Sequence, residues 1–175
     1  MASATNLLTL EEFRLRYAEE KPYYEYWFGE AVQKFAPTWL HTLLVKVLLN
    51  ALDGAGYESG TELELRIDAD WQPKPDVAAA TFVEQPYPTK PVAVIVEVLS
   101  PEDRMERVIE KWRQYVRIGI PAIFVMDPEL RYAWEWSRQT ENLERISTML
   151  LPNGEAISVA HLWSDLDLRL KRKRF

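Results

Sequence analysis

No cysteine occurs anywhere in the chain, and it has only two histidines and six glycines. Without thiols there are no disulfides, no thiolate metal centres and no cysteine nucleophile. That absence fits a reducing compartment, so a cytoplasmic location is expected. The glycines form neither a GxxxxGK[ST] phosphate loop nor a GxGxxG dinucleotide turn. A run of about 18 apolar residues is also missing, which excludes a membrane span. The start MASATNLLTLEEF lacks the basic and apolar regions of a secretory signal. An excess of positive charge is absent too: the net charge is −6, unlike a protein that coats nucleic acid through a broadly basic surface. Contact with a polyanion must then come from a local patch. Residues 104–117 carry five basic side chains against two glutamates, and residues 169–175, RLKRKRF, carry five with no acid. The second patch reads first as a solvated, frayed tail.

What is present is material for a core, at 47% hydrophobic and 12% aromatic residues with seven tryptophans. At this length a single domain over 1–175 is expected. Thr9, followed three residues later by Glu12, has capping-box form and predicts a short helix to about residue 20, stopped by Lys21-Pro22. Aromatic-rich segments 24–28 and 31–35 flank Phe28-Gly29-Glu30, a hairpin with Glu30 just past its turn. Pro37-Thr38 opens a helix with Leu40, Leu43, Leu44, Val47, Leu48 and Leu52 on one face, His41 in its first turn and Gly54 as its cap.

Residues 62–67 alternate as a strand with one wet face. Residues 77–83 and 92–99 are the next strands, the latter apolar enough to be central. A helix follows Pro101, with Glu102-Asp103 in its first turn, an apolar stripe from Met105 to Val116, and Gly119 at its close near residue 118. Residues 122–126 make a further buried strand, ended by a turn at Asp127-Pro128. The strand–helix–strand unit 92–126 implies parallel neighbours. Residues 131–136 alternate Tyr132, Trp134 and Trp136. Residues 146–151 join 156–159 through Pro152-Asn153-Gly154, a hairpin turn. The fold class is therefore α/β: a mixed sheet flanked by helices, with a C-terminal antiparallel hairpin extension.

Two acids stand out against this background. Asp76 opens one apolar strand, and Glu97 lies near the end of its neighbour, 21 residues later. A buried carboxylate costs several kcal/mol, roughly, unless it is paired or bound to metal. Converging on one hard cation such as Mg²⁺, the two would supply oxygen ligands, with the Val98 carbonyl as a third. The bland readings are a strand cap for Asp76 and a structural ion pair for Glu97. Glu30 also reads as a turn residue, and Lys111 as a surface residue paired with Asp103, Glu106 or Glu110.

The ordered series Pro75-Asp76, Val-Ile-Val-Glu97-Val-Leu-Ser-Pro, Lys111-x-x-x-Tyr115-x-x-x-Gly119 and Phe124-Val-Met-Asp127-Pro128 resembles the bacterial putative restriction endonuclease family of the PD-(D/E)xK nuclease superfamily. Tyr24-Glu25 with Gly29-Glu30, then Pro37 and His41, resemble its N-terminal pattern. The resemblance spans about residues 8–165. It implies a restriction endonuclease-like fold and a Mg²⁺- or Mn²⁺-dependent endonuclease acting on DNA. By resemblance Asp76 and Glu97 bind the metal, Lys111 holds the attacking water or the phosphate, Glu30 is a third acid, and His41 is an accessory. One departure is plain: the superfamily lysine belongs two residues after the second acid, where this chain has Leu99, and the matching base has moved to Lys111 on the following helix. A homodimer fits a nuclease that cuts two strands, with residues 132–136 and 23–28 as apolar contacts. Two alternatives stay open: a catalytically inactive interaction module that keeps the fold, and hydrolysis of a smaller phosphate-containing substrate.

Overall fold

The computed structural model describes residues 7–17, 19–21, 23–101, 103 and 105–171. The expectations placed on Pro22, on Glu102 and on tail residues 172–175 lie outside the described residues. In chain order the elements are α1 (Leu10–Tyr17), β1 (Tyr24–Trp27), β2 (Glu30–Gln33), α2 (Trp39–Gly54), β3 (Glu58–Gly60), β4 (Trp71–Gln72), β5 (Val77–Ala80), β6 (Val94–Val98), α3 (Met105–Arg117), β7 (Ala122–Asp127), β8 (Tyr132–Ser137), β9 (Asn142–Arg145), β10 (Thr148–Leu150), β11 (Ala156–Ser158) and α4 (Val159–Lys171).

The continuous apolar runs of β6 and β7 lie in the middle of a six-stranded sheet ordered β3-β5-β6-β7-β8-β9. β6 and β7 pair in parallel, and the sheet is otherwise antiparallel. A strand buried on both faces is apolar at every position. Here alternate residues feed two cores: Val94, Val96, Val98, Phe124 and Met126 pack with α2 and α4 on one face. Ile95, Ile123 and Val125 pack with Val108, Trp112 and Tyr115 of α3 on the other. Glu97 has the parity of Ile95, so a carboxylate stands where the α3 face would otherwise take an aliphatic side chain. A smaller antiparallel sheet, β2-β1-β4, and the β10-β11 pair complete the strands. Mixed α/β architecture with a C-terminal hairpin is thus what the chain forms.

Local signals explain most boundaries. The capping box is made as written: Thr9 N–H donates to Glu12 Oε2 at 2.8 Å, and Glu12 N–H to Thr9 Oγ1 at 3.2 Å, though α1 ends at Tyr17. Thr38 caps α2 by accepting from His41 N–H at 3.1 Å. At the end of α3, Gly119 takes φ +88° while its N–H and that of Ile120 donate to the Val116 and Tyr115 carbonyls, both at 3.0 Å. This is the paired-bond motif that a left-handed residue closes.

Three expectations need correction. Residues 62–67 form no strand. Their N–H groups reach across to Pro75, Pro73 and Pro88 carbonyls, and prolines accept but cannot donate, so no two-way ladder forms. Glu58–Gly60 pairs with β5 instead. Gly54 is the last residue of α2, not its cap; Ala55 caps the helix and Gly56 takes the positive φ of +87°. Val159, expected to end the last strand, starts α4, whose Val159, Leu162 and Leu166 are buried.

Candidate active site

The site forms where β5 begins and β6 ends. Asp76 immediately precedes β5, and the register pairs Val77 with Val96, so one step further sets Asp76 opposite Glu97. Like charges directly opposite across an antiparallel pair repel, and each acid is met by its own lysine. Lys34 Nζ lies 2.9 Å from Asp76 Oδ1, and Lys111 Nζ lies 2.8 Å from Glu97 Oε1. Asp76 Oδ2 accepts from Val98 N–H at 2.9 Å. Tyr115, one helical turn beyond Lys111 on α3, donates its hydroxyl to Glu97 Oε1 at 2.5 Å. Both acids are buried, at 5% and 8% exposure.

The positions assigned from sequence fall into two groups. Asp76, Glu97, Val98, Lys111 and His41 all line one cavity of about 300 Å³, together with Glu25, Lys34, the exposed Phe35 and Arg107. His41 Nε2 stands 3.7 Å from Asp76 Oδ1, beyond direct hydrogen-bond range, and its Nδ1 has no partner among the described residues. Glu30 is different: it is exposed in β2, opposite Trp27, and does not line the cavity. The further acids lining it are the exposed Asp103 and the buried Glu25, 2% exposed. Glu25 Oε1 lies 2.9 Å from Lys111 Nζ and accepts from Lys74 N–H at 2.8 Å, while Oε2 accepts from the Trp27 indole at 3.0 Å. Leu99, where the superfamily lysine would stand, is packed against the α3 core.

Sequence reasoning passed over Glu25, Lys34 and Tyr115 as site members. Glu25 carried the same signal as Glu97, an acid inside an aromatic strand. Lys34 carried none, because its role depends on Glu62 and Asp76, distant in sequence.

The charges set the protonation states. Burial opposes ionisation of Asp76, but Lys34, His41, Lys111 and the Val98 N–H outweigh it and hold the group at about 2. Burial pushes Glu97 up to about 7; Lys111 and Lys34 resist this, while Asp76 and Glu25 add to it. Burial disfavours the charged form of Lys111, yet Glu25 and Glu97 raise its pKa above the usual lysine value. Lys111 is therefore a fixed ammonium and not a base. Tyr115 is pushed well above its ordinary range, first by burial and then by Glu97, so it remains a phenol able to donate.

Donor chemistry fits a hard divalent cation. Four carboxylates (Glu25, Glu62, Asp76 and Glu97) meet two ammonium groups (Lys34 and Lys111), and Asp103 and Arg107 add one charge of each sign to the cavity lining, so full ionisation leaves a negative excess. All the donors are oxygens, as such an ion prefers. Among the described residues, however, no three acids or histidines are already grouped to hold one.

A mixed sheet flanked by helices, with paired acids at adjoining strand ends, defines a nuclease-like α/β protein. The chain belongs to the Uma2 family, described as putative restriction endonuclease, which matches residues 10–171. It is similar in fold to a crystal structure from Anabaena variabilis described as a putative nuclease belonging to DUF820, with a TM-score of 0.71 and 21% identity over 91% of this chain and 99% of that one. A cryo-EM structure of a DrdV–DNA complex also matches, with a TM-score of 0.39 and 16% identity over 70% of this chain and 10% of the other. No curated protein matches the chain.

Proposed function

We propose that this protein is a metal-dependent endonuclease that hydrolyses DNA phosphodiester bonds, acting in the cytoplasm as a homodimer. The observation that carries the reading is the pair of buried acids, Asp76 and Glu97, facing each other at two strand ends with Lys111 at 2.8 Å from the second. Asp76, Glu97 and the Val98 carbonyl would hold Mg²⁺ or Mn²⁺. When bound, such an ion supplies an acidified water and neutralises charge on the phosphate. Lys111 keeps 13% of its side chain exposed in the cavity lining, and its permanent charge orients water or the phosphate and stabilises charge in the transition state. Tyr115 fixes the Glu97 carboxylate. Glu25 takes the place that the family resemblance assigned to Glu30, anchoring Lys111 from the other side, and His41 stays beside Asp76 as an accessory. Arg107 meets the DNA backbone.

The test is cleavage of supercoiled plasmid with Mn²⁺. Wild type should nick it, and Glu97→Ala should lose at least about two orders of magnitude in rate. Equal rates, or no cleavage by wild type with any divalent metal, would reject the enzyme. A second reading, the non-catalytic module, is favoured by one observation: both acids are already ion-paired to lysines. Calorimetry separates the two, since Mn²⁺ binding lost in Asp76→Ala belongs to the enzyme and silence belongs to the module.

A further inference from the structure

Lys34 is held unlike Lys111. Its ammonium has three N–H donors, and three groups accept them: Glu62 at 2.9 and 3.0 Å through its two oxygens, the Lys74 carbonyl at 2.6 Å, and Asp76 Oδ1 at 2.9 Å. No donor is free for a substrate phosphate in this arrangement. Asp76 Oδ2 accepts one hydrogen bond, from the Val98 N–H, and Oδ1 carries Lys34 with His41 Nε2 at 3.7 Å, so any cation held by this carboxylate meets the Lys34 charge. Glu62 lies in the irregular segment that failed to form a strand, at φ +55°, with its side chain 32% exposed against 6% for that of Asp76.

Resting on the metal-dependent reading above, we propose that Lys34 is an internal counter-cation: it occupies the Asp76 carboxylate until a divalent cation displaces it, and Glu62 retains the displaced ammonium. Two positive groups on one carboxylate repel strongly where water is scarce, so the ion and Lys34 compete for Asp76. Leaving Asp76 deprives Lys34 of only one of its three acceptor groups, because Glu62 and the Lys74 carbonyl remain. Without metal, Lys34 keeps a buried aspartate compensated. Metal affinity is then set by competition inside the protein, and Lys34 acts as a positioning residue through Asp76.

Calorimetric titration of Mn²⁺ into the full chain tests this, alongside melting curves in EDTA and a crystal structure soaked with Mn²⁺. Lys34→Met should bind Mn²⁺ about tenfold more tightly, melt lower in EDTA and gain more from added metal. Glu62→Gln should bind it several-fold more weakly, since the ammonium then has no second carboxylate to hold it. A purely structural Lys34 would weaken binding in both variants. In the soaked wild-type crystal, Lys34 Nζ should stand beyond about 3.5 Å from Asp76 Oδ1 while still bonded to Glu62. That distance separates displacement from a simple change in net charge. Nζ still on Oδ1 with metal present, unchanged or weaker binding by Lys34→Met, or tighter binding by Glu62→Gln would each overturn the inference. If Lys34→Met does not fold, the Glu62→Gln titration and the soaked crystal decide. If neither wild type nor Lys34→Met binds Mn²⁺, the metal reading falls and takes this with it; if wild type binds and the variants match it, only the counter-cation role falls.

Discussion

A carboxylic acid in an apolar strand titrates according to the charges its neighbours bring, and the two central acids here respond in opposite directions. Asp76 is depressed to about 2, so its contribution to stability is complete above its ordinary value of 3.8 and is lost as pH falls toward 2. Glu97 is raised to about 7, so the stability linked to its protonated form is complete below 4.5 and is lost as pH rises through 7. Burial raises Glu62 and Asp103 as well, which adds to the same decline. In EDTA the protein should therefore unfold at lower urea concentration at pH 8 than at pH 5. Glu97→Gln should remove most of that difference; an equally steep decline in the variant would show that Glu97 is not its source. The acids themselves were legible in sequence as charges in apolar strands. Their unequal titration was not, because it depends on which lysine each one meets.

At the scale of elements, α3 links packing to chemistry. Its apolar stripe buries Val108, Trp112 and Tyr115, and that docking brings Lys111 and Tyr115 onto Glu97. Gly119 ends the helix at φ +88°, where an L side chain is strained whatever space surrounds it. Gly119→Ala should cost about 1 kcal/mol in urea unfolding, while plasmid cleavage by the folded fraction is largely kept because Gly119 does not line the cavity. A neutral result would mean that the turn relaxes. Helices α2 and α3 and strands β6 and β7 were legible from periodicity. The 62–67 segment misled because its alternation is that of a strand, while the prolines opposite it cannot donate. Helix α4 carried helical spacing at Val159, Leu162 and Leu166 that the strand expectation overlooked.

For the whole molecule, charge and surface matter more than any single contact. At −6 overall, the proposed recruitment of DNA would fall to local groups, among which Arg107 lines the cavity. Among the described residues no helix is long and apolar enough to cross a membrane. The proposed homodimer should give twice the 20.5 kDa chain mass in light scattering, and a monomer mass would remove it. The two aromatic segments assigned to that contact are partly consumed inside the fold: Tyr26 and Trp136 are 5% and 8% exposed, and Tyr132 stacks edge-on against Trp134.

The sequence by itself determined the α/β class, the parallel β6–β7 pair and the placement of Asp76 and Glu97 at the ends of apolar strands, since apolar patterning and charge within it are local properties of a chain. Only the tertiary structure decided that Glu25 and not Glu30 reaches Lys111, and that Lys34 and Glu62 share Asp76. Those contacts join residues tens of positions apart, and their geometry comes from how the hairpin, the irregular 62–67 segment and α3 close over the ends of the sheet.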